Sequence, residues 1–348
     1  MGKFILISLA VVMVCNGCAS WGAASAEEYF SIGMAYFDIG KFAEAEKWLS
    51  RARTKDKTQT ASDYNLGRIA FEGERYAEAL KYFESVLKRD PDNVIALKAA
   101  AYTLIKNGDI EKAAEMYDRV LVLVPESADD GYNYALVLFA MKKYAEAEEV
   151  INNHEFALLD NNEVLLLYAR AQKEQGKPEA IDNYAKLLVN SNDSKVRYEF
   201  AQLLEDNELY ARALEEYRTA YEGFPAANVN PSKPEVRFAI ARLLLIADSK
   251  NNDGITELQE AVKGGFSGIE KLEELLVDKR VSAAHKDRIR LIITEMELAA
   301  EKAKAEEKAK TAEKEKAAER AKAAAGKTAA VEEAEAGEPE PDDDTGTN

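Results

Sequence analysis

The chain has 348 residues, with 63 acidic against 46 basic side chains, a formal net charge of -17, two cysteines and two histidines. Two Cys and two His cannot make a four-cysteine zinc site or a disulfide scaffold, and so acidic a chain is a poor ligand for nucleic-acid phosphates. At 47% hydrophobic and 31% charged it can bury a sizeable core, and its length alone corresponds to about two domains.

Lys3 followed by the uncharged run Phe4 to Val14 reads as a secretory signal, because the run is too short to span a bilayer as a helix. Cys15-Asn16-Gly17-Cys18 resembles a relaxed bacterial lipobox. Cleavage there removes residues 1–17 and leaves a diacylated Cys18 at the mature amino terminus. Ala24-Ser25-Ala26 offers an ordinary cleavage site instead, which gives a soluble periplasmic product. Lipidation at Cys18 is favoured because that residue follows soon after the apolar run, although Cys15 and Asn16 depart from the usual lipobox residues. Residues 18–25 then form a short tether that holds the body close to a membrane and facing the periplasm. Both cysteines lie in this segment, so the body cannot depend on disulfides.

From residue 26 the chain repeats. Gly33, Gly67, Ala101, Ala135 and Ala169 fall 34 residues apart. Ala45, Ala79, Ala113 and Ala147 keep the same interval and continue at Ala180 and Ala213 with spacing 33. Four positions after each comes a large residue: Leu49, Phe83, Tyr117, Ile151, Tyr184 and Tyr217. Pro91, Pro125 and Pro225 close three units. A period of this length points to two antiparallel helices per unit, with small residues where the axes approach. In the first unit the spacing predicts helices over Glu27 to Asp38 and Phe42 to Arg53, with a break at Gly40. One hairpin cannot cover its own apolar faces, so consecutive units must stack.

The pattern resembles the tetratricopeptide repeat (TPR) family. The first unit matches its motif with Tyr29, Ile32-Gly33, Tyr36, Gly40, Phe42, Ala45 and Ala52, and the second with Leu66-Gly67, Tyr76, Ala79, Phe83 and Pro91. The third carries Gly108, Ala113, Tyr117 and Pro125. The fourth keeps Tyr144 and Ala147 but has His154 and Leu159 at usually small or proline positions. The fifth holds Gly176 and Ala180 after a one-residue deletion, and the sixth Tyr210, Ala213, Tyr217, Ala220 and Pro225. The seventh, Glu235 to Gly265, departs most, with Gly254 in place of the first alanine of its second helix. The resemblance implies an all-α fold, a right-handed α-solenoid of about seven hairpins over residues 26–265. Short apolar runs in residues 266–296 (Leu272, Leu275-Leu276, Ile289, Ile292-Ile293, Met296) predict two helices that cap its open end.

The resemblance also implies a partner-binding groove. In the family the first helix of each pair lines the concave surface and presents its fifth, ninth and twelfth positions to bound peptide. The fifth-position column is Phe30, Tyr64, Lys98, Tyr132, Leu166, Tyr198 and Phe238. Met34, Arg68, Tyr102, Arg170 and Arg242 stand at ninth positions, and Phe37, Phe71, Ile105 and Phe139 at twelfth positions before Lys173 and Glu205. Rings make good anchors for an extended or helical segment, and the arginines suit its acidic groups. Packing against the next hairpin would use the same residue types. Phe30 and Met34 stand where the carboxylate-clamp subtype, which grips chaperone tails, has Lys and Asn, so a receptor of that kind is not expected.

Nothing points to catalysis, a metal or a cofactor. His154 and His285 have no nucleophile in a recognisable pattern beside them. Gly264-Gly265 reads as a turn, since no strand precedes it and no Gly-Lys-Ser/Thr follows. Asn192-Asp193-Ser194 matches a glycosylation triplet, which carries no meaning in a bacterial lipoprotein.

From Glu301 six-residue units recur with Glu three before Lys (Glu301/Lys304, Glu307/Lys310, Glu313/Lys316, Glu319/Lys322). Such pairs and the alanines support an exposed single helix over residues 297–325, with Gly326 ending it. Residues 326–348 form an acidic tail, with eight acids and no base after residue 330, whose composition fits disorder. The functional expectation is a non-enzymatic scaffold of the bacterial cell envelope that binds protein partners in its groove. Its rivals are an accessory lipoprotein of an envelope transport or outer-membrane assembly complex and a structural periplasmic spacer.

Overall fold

A computed structural model describes residues 24–154, 161–189, 191–225, 230–247 and 252–335, with side chains as far as residue 317. Sixteen α-helices and no strand occur among them. The chain divides into two compact units, Met1–Ser191 and Asn192–Asn348, and the predicted array of residues 26–265 falls across both.

The first unit holds five hairpins: α1 (Ala26–Asp38) with α2 (Phe42–Lys55), α3 (Thr60–Glu72) with α4 (Tyr76–Arg89), α5 (Val94–Asn107) with α6 (Ile110–Leu123), α7 (Ala128–Ala140) with α8 (Tyr144–Asn153), and α9 (Asn162–Glu174) with α10 (Glu179–Val189). Each first helix packs on its own second helix, and each second helix down to α8 packs on the next first helix. The second unit holds α11 (Ser194–Asp206) with α12 (Tyr210–Gly223), α13 (Lys233–Ala247) with α14 (Asp253–Lys263), then α15 (Ile269–Val277) and α16 (Ala283–Glu335).

Local signals explain the helix limits. Ser25 and Glu28 close a capping box on α1: the Glu28 amide donates to Ser25 Oγ (3.1 Å) and the Ser25 amide to Glu28 Oε2 (2.7 Å). Ser232 and Glu235 repeat that exchange at the start of α13. Within six hairpins the turn carries one left-handed residue: Gly40, Glu74, Gly108, Lys142, Gly176 and Glu208, with φ between 56° and 88°. The amide after it donates to a carbonyl five residues back in every case, from Lys41 to Tyr36 through Leu209 to Leu204, at 2.8–2.9 Å. That bond is the long hydrogen bond of a Schellman cap.

The periodic columns are the core. Ala45, Ala79, Ala113, Ala147, Ala180 and Ala213 are fully buried, and so, within 3%, are Leu49, Phe83, Tyr117, Ile151, Tyr184 and Tyr217. The small positions of the first helices face the large column of the second: a Cβ on Gly33 would lie 2.7 Å from Leu49 Cγ, and one on Gly67 would lie 2.6 Å from Phe83 Cε1. Gly254, the exception in the alanine column, has the same explanation, since a Cβ there would lie 2.7 Å from Leu245 Cγ.

Two stretches beyond the hairpins form one core with the last of them. Leu272, Leu275, Ile289, Ile292 and Ile293 pack in one cluster with Leu245, Ile255, Leu258 and Phe266. Gly326 does not end the final helix. α16 runs unbroken from Ala283 through residue 297 and Gly326 to Glu335, 53 residues in all. One glycine costs a helix about 1 kcal/mol relative to alanine, and Ala323 to Ala325 and Ala329-Ala330 flank this one. The acidic tail after residue 335, like Cys18, lies outside the described residues.

Candidate partner-binding surface

The ring-bearing positions of the first helices divide into three groups. Phe30, Met34 and Phe37 of α1 are half-buried and pack on the cluster that holds Leu66 and Ile69 of the next hairpin. Tyr132 and Phe139 of α7 pack in the same way on the cluster of Val164 and Leu167 of α9. Burial raises the Tyr132 phenol above its ordinary pKa, Glu163 adds to that, and half-buried Arg170 opposes it. These side chains therefore join hairpins to each other while leaving an edge in water.

Twelfth-position rings also pair across their own turn. Phe37 meets Phe42 edge-on (centroids 5.4 Å apart), Phe71 meets Tyr76 (5.5 Å), and Phe139 meets Tyr144 (5.1 Å). Each pair clamps the end of a first helix to the start of the second. Aromatic pairs at this separation contribute about 0.5–1.5 kcal/mol beyond their burial.

The most accessible ring of the set is Tyr102 of α5, which is 47% exposed. Its ring packs 5.4 Å from Phe71, and Lys106 Nζ stands 5.4 Å from its centroid. One hairpin earlier, the Arg68 guanidinium lies 4.3 Å from the centroid of Phe37 and 6.0 Å from that of Tyr64, while Nη1 donates to Asn65 Oδ1 (3.1 Å). Tyr64 is half-buried against Phe83 (5.7 Å). Hairpins one to three thus present rings edged by cations. Such a surface suits a segment carrying apolar side chains and carboxylates. Lys98, the exception in the fifth-position column, is taken up internally, 2.9 Å from the buried Asp130 carboxylate, which also accepts from Ser127 Oγ (2.5 Å).

In the second unit the predicted positions are engaged within the chain. Phe238 is 6% exposed and stacks on Phe266 at 4.3 Å with the planes 8° apart, so it belongs to the core and not to a groove. It was expected in the groove from its column alone. What seals it is Phe266, a residue of the capping segment with no place in the repeat. Tyr198 is half-buried between Tyr217 (5.4 Å) and Phe224 (6.3 Å), and burial raises its phenol pKa. Arg242 donates to Glu205 at 2.6 Å, and the same oxygen accepts from the Tyr217 hydroxyl (2.9 Å), so this arginine reads an acid within its own chain. Both partners stand in the sequence columns, but spacing alone does not reveal the pairing. Sequence reasoning also missed a cleft of about 440 Å3 beside α12 and α13. Arg218, Tyr221, Arg237 and Glu257 line it, and Lys233 Nζ lies 4.6 Å from the Tyr221 centroid. No signal in the repeat marks it.

The histidines serve structure. His154 has its two ring nitrogens 2.8 Å from the carbonyls of Val150 and Pro125, and His285 is buried in the first turn of α16. Among the described residues no cluster of three or more His, Cys, Asp and Glu is placed to hold a metal, and no helix is long and apolar enough to cross a membrane.

Residues 26–52 and 64–128 each match a family model described as tetratricopeptide repeat. These hairpins are tetratricopeptide repeats. Residues 106–187 match a model described as anaphase-promoting complex, cyclosome, subunit 3. An uncharacterized lipoprotein of Treponema pallidum (strain Nichols) is 24% identical over 156 residues, 45% of this chain and 80% of that protein. Human protein O-mannosyl-transferase TMTC3 is 27% identical over 127 residues, 36% of this chain but 14% of the transferase, so the chain spans a small part of that relative. A solved tetratricopeptide repeat protein from Parabacteroides merdae ATCC 43184 has a TM-score of 0.48 at 21% identity, covering 72% of this chain and 96% of that one. The repeat fold supports a protein–protein interaction scaffold.

Proposed function

We propose that the protein is a non-enzymatic scaffold of a bacterial cell envelope, held at a membrane by acyl chains on Cys18, that binds partner segments along the first helices of its first four hairpins. The carrying observation is the Tyr102 surface: an exposed ring supported by Phe71, flanked by Lys106, beside the Arg68–Phe37 stack. The lipobox-like run ending at Cys18 and the name of the Treponema relative support the anchor. Tethering raises the local concentration of the scaffold for other envelope components. A photo-crosslinking amino acid placed at Tyr102 in the native envelope tests the reading. It captures a discrete protein partner, and Arg68→Ala with Lys106→Ala weakens that capture. Equal capture by the double variant, or capture of nothing, contradicts it. Anchoring is tested separately by metabolic acyl labelling, which Cys18→Ala abolishes.

The spacer reading has one observation of its own. At about 1.5 Å per residue, the 53 residues of α16 reach about 80 Å, and every side chain from 297 to 317 is exposed. Deleting residues 301–348 separates the two: a scaffold keeps its partner, whereas a spacer loses its function.

A further inference from the structure

Among the described residues, α1 and α2 form the one hairpin of the first unit that packs on no hairpin before it. The 34-residue register makes the consequence visible. Leu66, at the position of Ile32, is 1% exposed because it packs in one cluster with Ala45 and Leu49 of the preceding hairpin, whereas Ile32 is 37% exposed. Tyr82, at the position of Trp48, packs on that same cluster and has the Arg53 guanidinium 5.4 Å from its ring. Half-buried Trp48 stacks on Tyr29 of its own hairpin at 5.7 Å, and the Arg51 guanidinium lies 4.6 Å from the indole. Beside them Tyr29, Ser50, Arg51, Thr54 and Lys55 line a cleft with two cations and no acid.

We infer that this end face is a docking surface for an anionic lipid bilayer. The inference rests on the anchoring of Cys18 proposed above and deepens it. Chain length argues for this occupant. Seven residues, Ala19 to Ser25, separate Cys18 from α1, and at about 3.5 Å each they span at most about 25 Å. The anchor therefore keeps the start of α1, and with it this end face, within about 25 Å of the headgroups. The chemistry fits as well. Trp and Tyr place an apolar body and a polar edge at a membrane interface, while Arg51 and Lys55 meet lipid phosphates.

The test uses the mature full-length chain from Cys18, whose one thiol is coupled to a maleimide lipid in vesicles of phosphatidylcholine and phosphatidylglycerol. Trp21→Phe leaves Trp48 as the one indole, since the chain has two tryptophans. Lipids brominated near the headgroup quench Trp48 in the coupled chain. For uncoupled chain, Arg51→Ala and Lys55→Ala each lower vesicle affinity about fivefold at low salt. Unquenched Trp48 in the coupled chain overturns the inference. So does a concentration-dependent dimer in sedimentation that Trp48→Ser dissolves, since a second copy would then be the occupant. Chemical coupling supplies the anchor whether or not a cell acylates Cys18. Failure of quenching therefore removes the docking face alone, and failure of acyl labelling removes the anchoring reading.

Discussion

The left-handed residue in six turns makes a reciprocal test of how the hairpins are held. Gly40, Gly108 and Gly176 occupy it in three, and Glu74, Lys142 and Glu208 in the other three, at φ of 56° to 61°. Nothing lies within 4 Å of a Cβ built on Gly108, so Gly108→Ala meets no clash and its cost is conformational. A non-glycine residue in this region costs about 1–2 kcal/mol, and the reduced freedom of the unfolded chain returns about 0.5–1 of that. The net loss is then about 0.5–1 kcal/mol. Glu74→Gly and Lys142→Gly gain the mirror amount, since both side chains are exposed and lose no packing. The backbone cannot escape the cost by rotating, because the Arg75 amide would lose the Ala70 carbonyl (2.8 Å) and the Asp109 amide that of Leu104 (2.9 Å). The two glycine gains are expected to add at this separation. The double variant therefore melts about 2–6 °C higher, and Gly108→Ala melts lower, as read by far-UV circular dichroism on the full chain. Glycine at 74 and 142 lowering stability, or alanine at 108 leaving it unchanged, would refute the reasoning.

Three further outcomes follow from buried polar groups. Burial tends to raise the Glu148 carboxyl, but hydrogen bonds from Lys177 (2.7 Å), Gln172 (3.2 Å) and Gln175 (2.6 Å) outweigh it and hold the pKa below the usual glutamate value. A lowered folded pKa means stability that is complete above the unfolded value, near 4.3, and lost as pH falls through the folded one. Urea midpoints therefore fall less steeply below that pH in Glu148→Gln than in the parent, and parallel curves would count against the network. Tyr117 behaves oppositely: burial, with Asp130 adding to it, pushes its phenol up to about 12. The folded chain holds that proton where the unfolded one releases it, so stability falls as pH rises from about 10, and Tyr117→Phe lessens the fall. Asp63 is fully buried and accepts from Arg53, Arg89 (2.6 Å) and Ser85 (3.0 Å), which ties α2, α3 and α4 together. Asp63→Asn is expected to cost about 2–3 kcal/mol by denaturant titration, less than a sealed ion pair because both guanidinium groups reach water.

The repeat was legible because its physics is periodic. Close helix approach demands a small residue at Gly33 and its equivalents, and a large one at Leu49 and its equivalents fills the space opposite, so both constraints recur as letters. The turn was half legible. Gly40, Gly108 and Gly176 mark it, but Glu74, Lys142 and Glu208 hold the same geometry under residues that give no sign of it. The Gly326 break failed for a related reason: in an exposed alanine-rich helix one glycine is a modest cost, and nothing nearby offers the chain a better ending.

Which rings stay open to water was the least legible feature, and Phe238 and Tyr102 show why. Both stand on first helices at positions that the repeat assigns to a groove. Phe238 is closed by Phe266, which comes from outside the repeat, whereas Tyr102 rests on Phe71 from the hairpin before it and keeps nearly half its surface in water. A column fixes the direction a side chain leaves its helix. Its exposure depends on the neighbour, and neighbours at the ends of an array are the ones no period specifies. The same logic leaves Ile32 37% exposed at the amino-terminal end while its equivalent Leu66 packs on the hairpin before it. In a stack of like units, then, the surfaces left for binding are set less by the unit than by where the stack begins and what closes it.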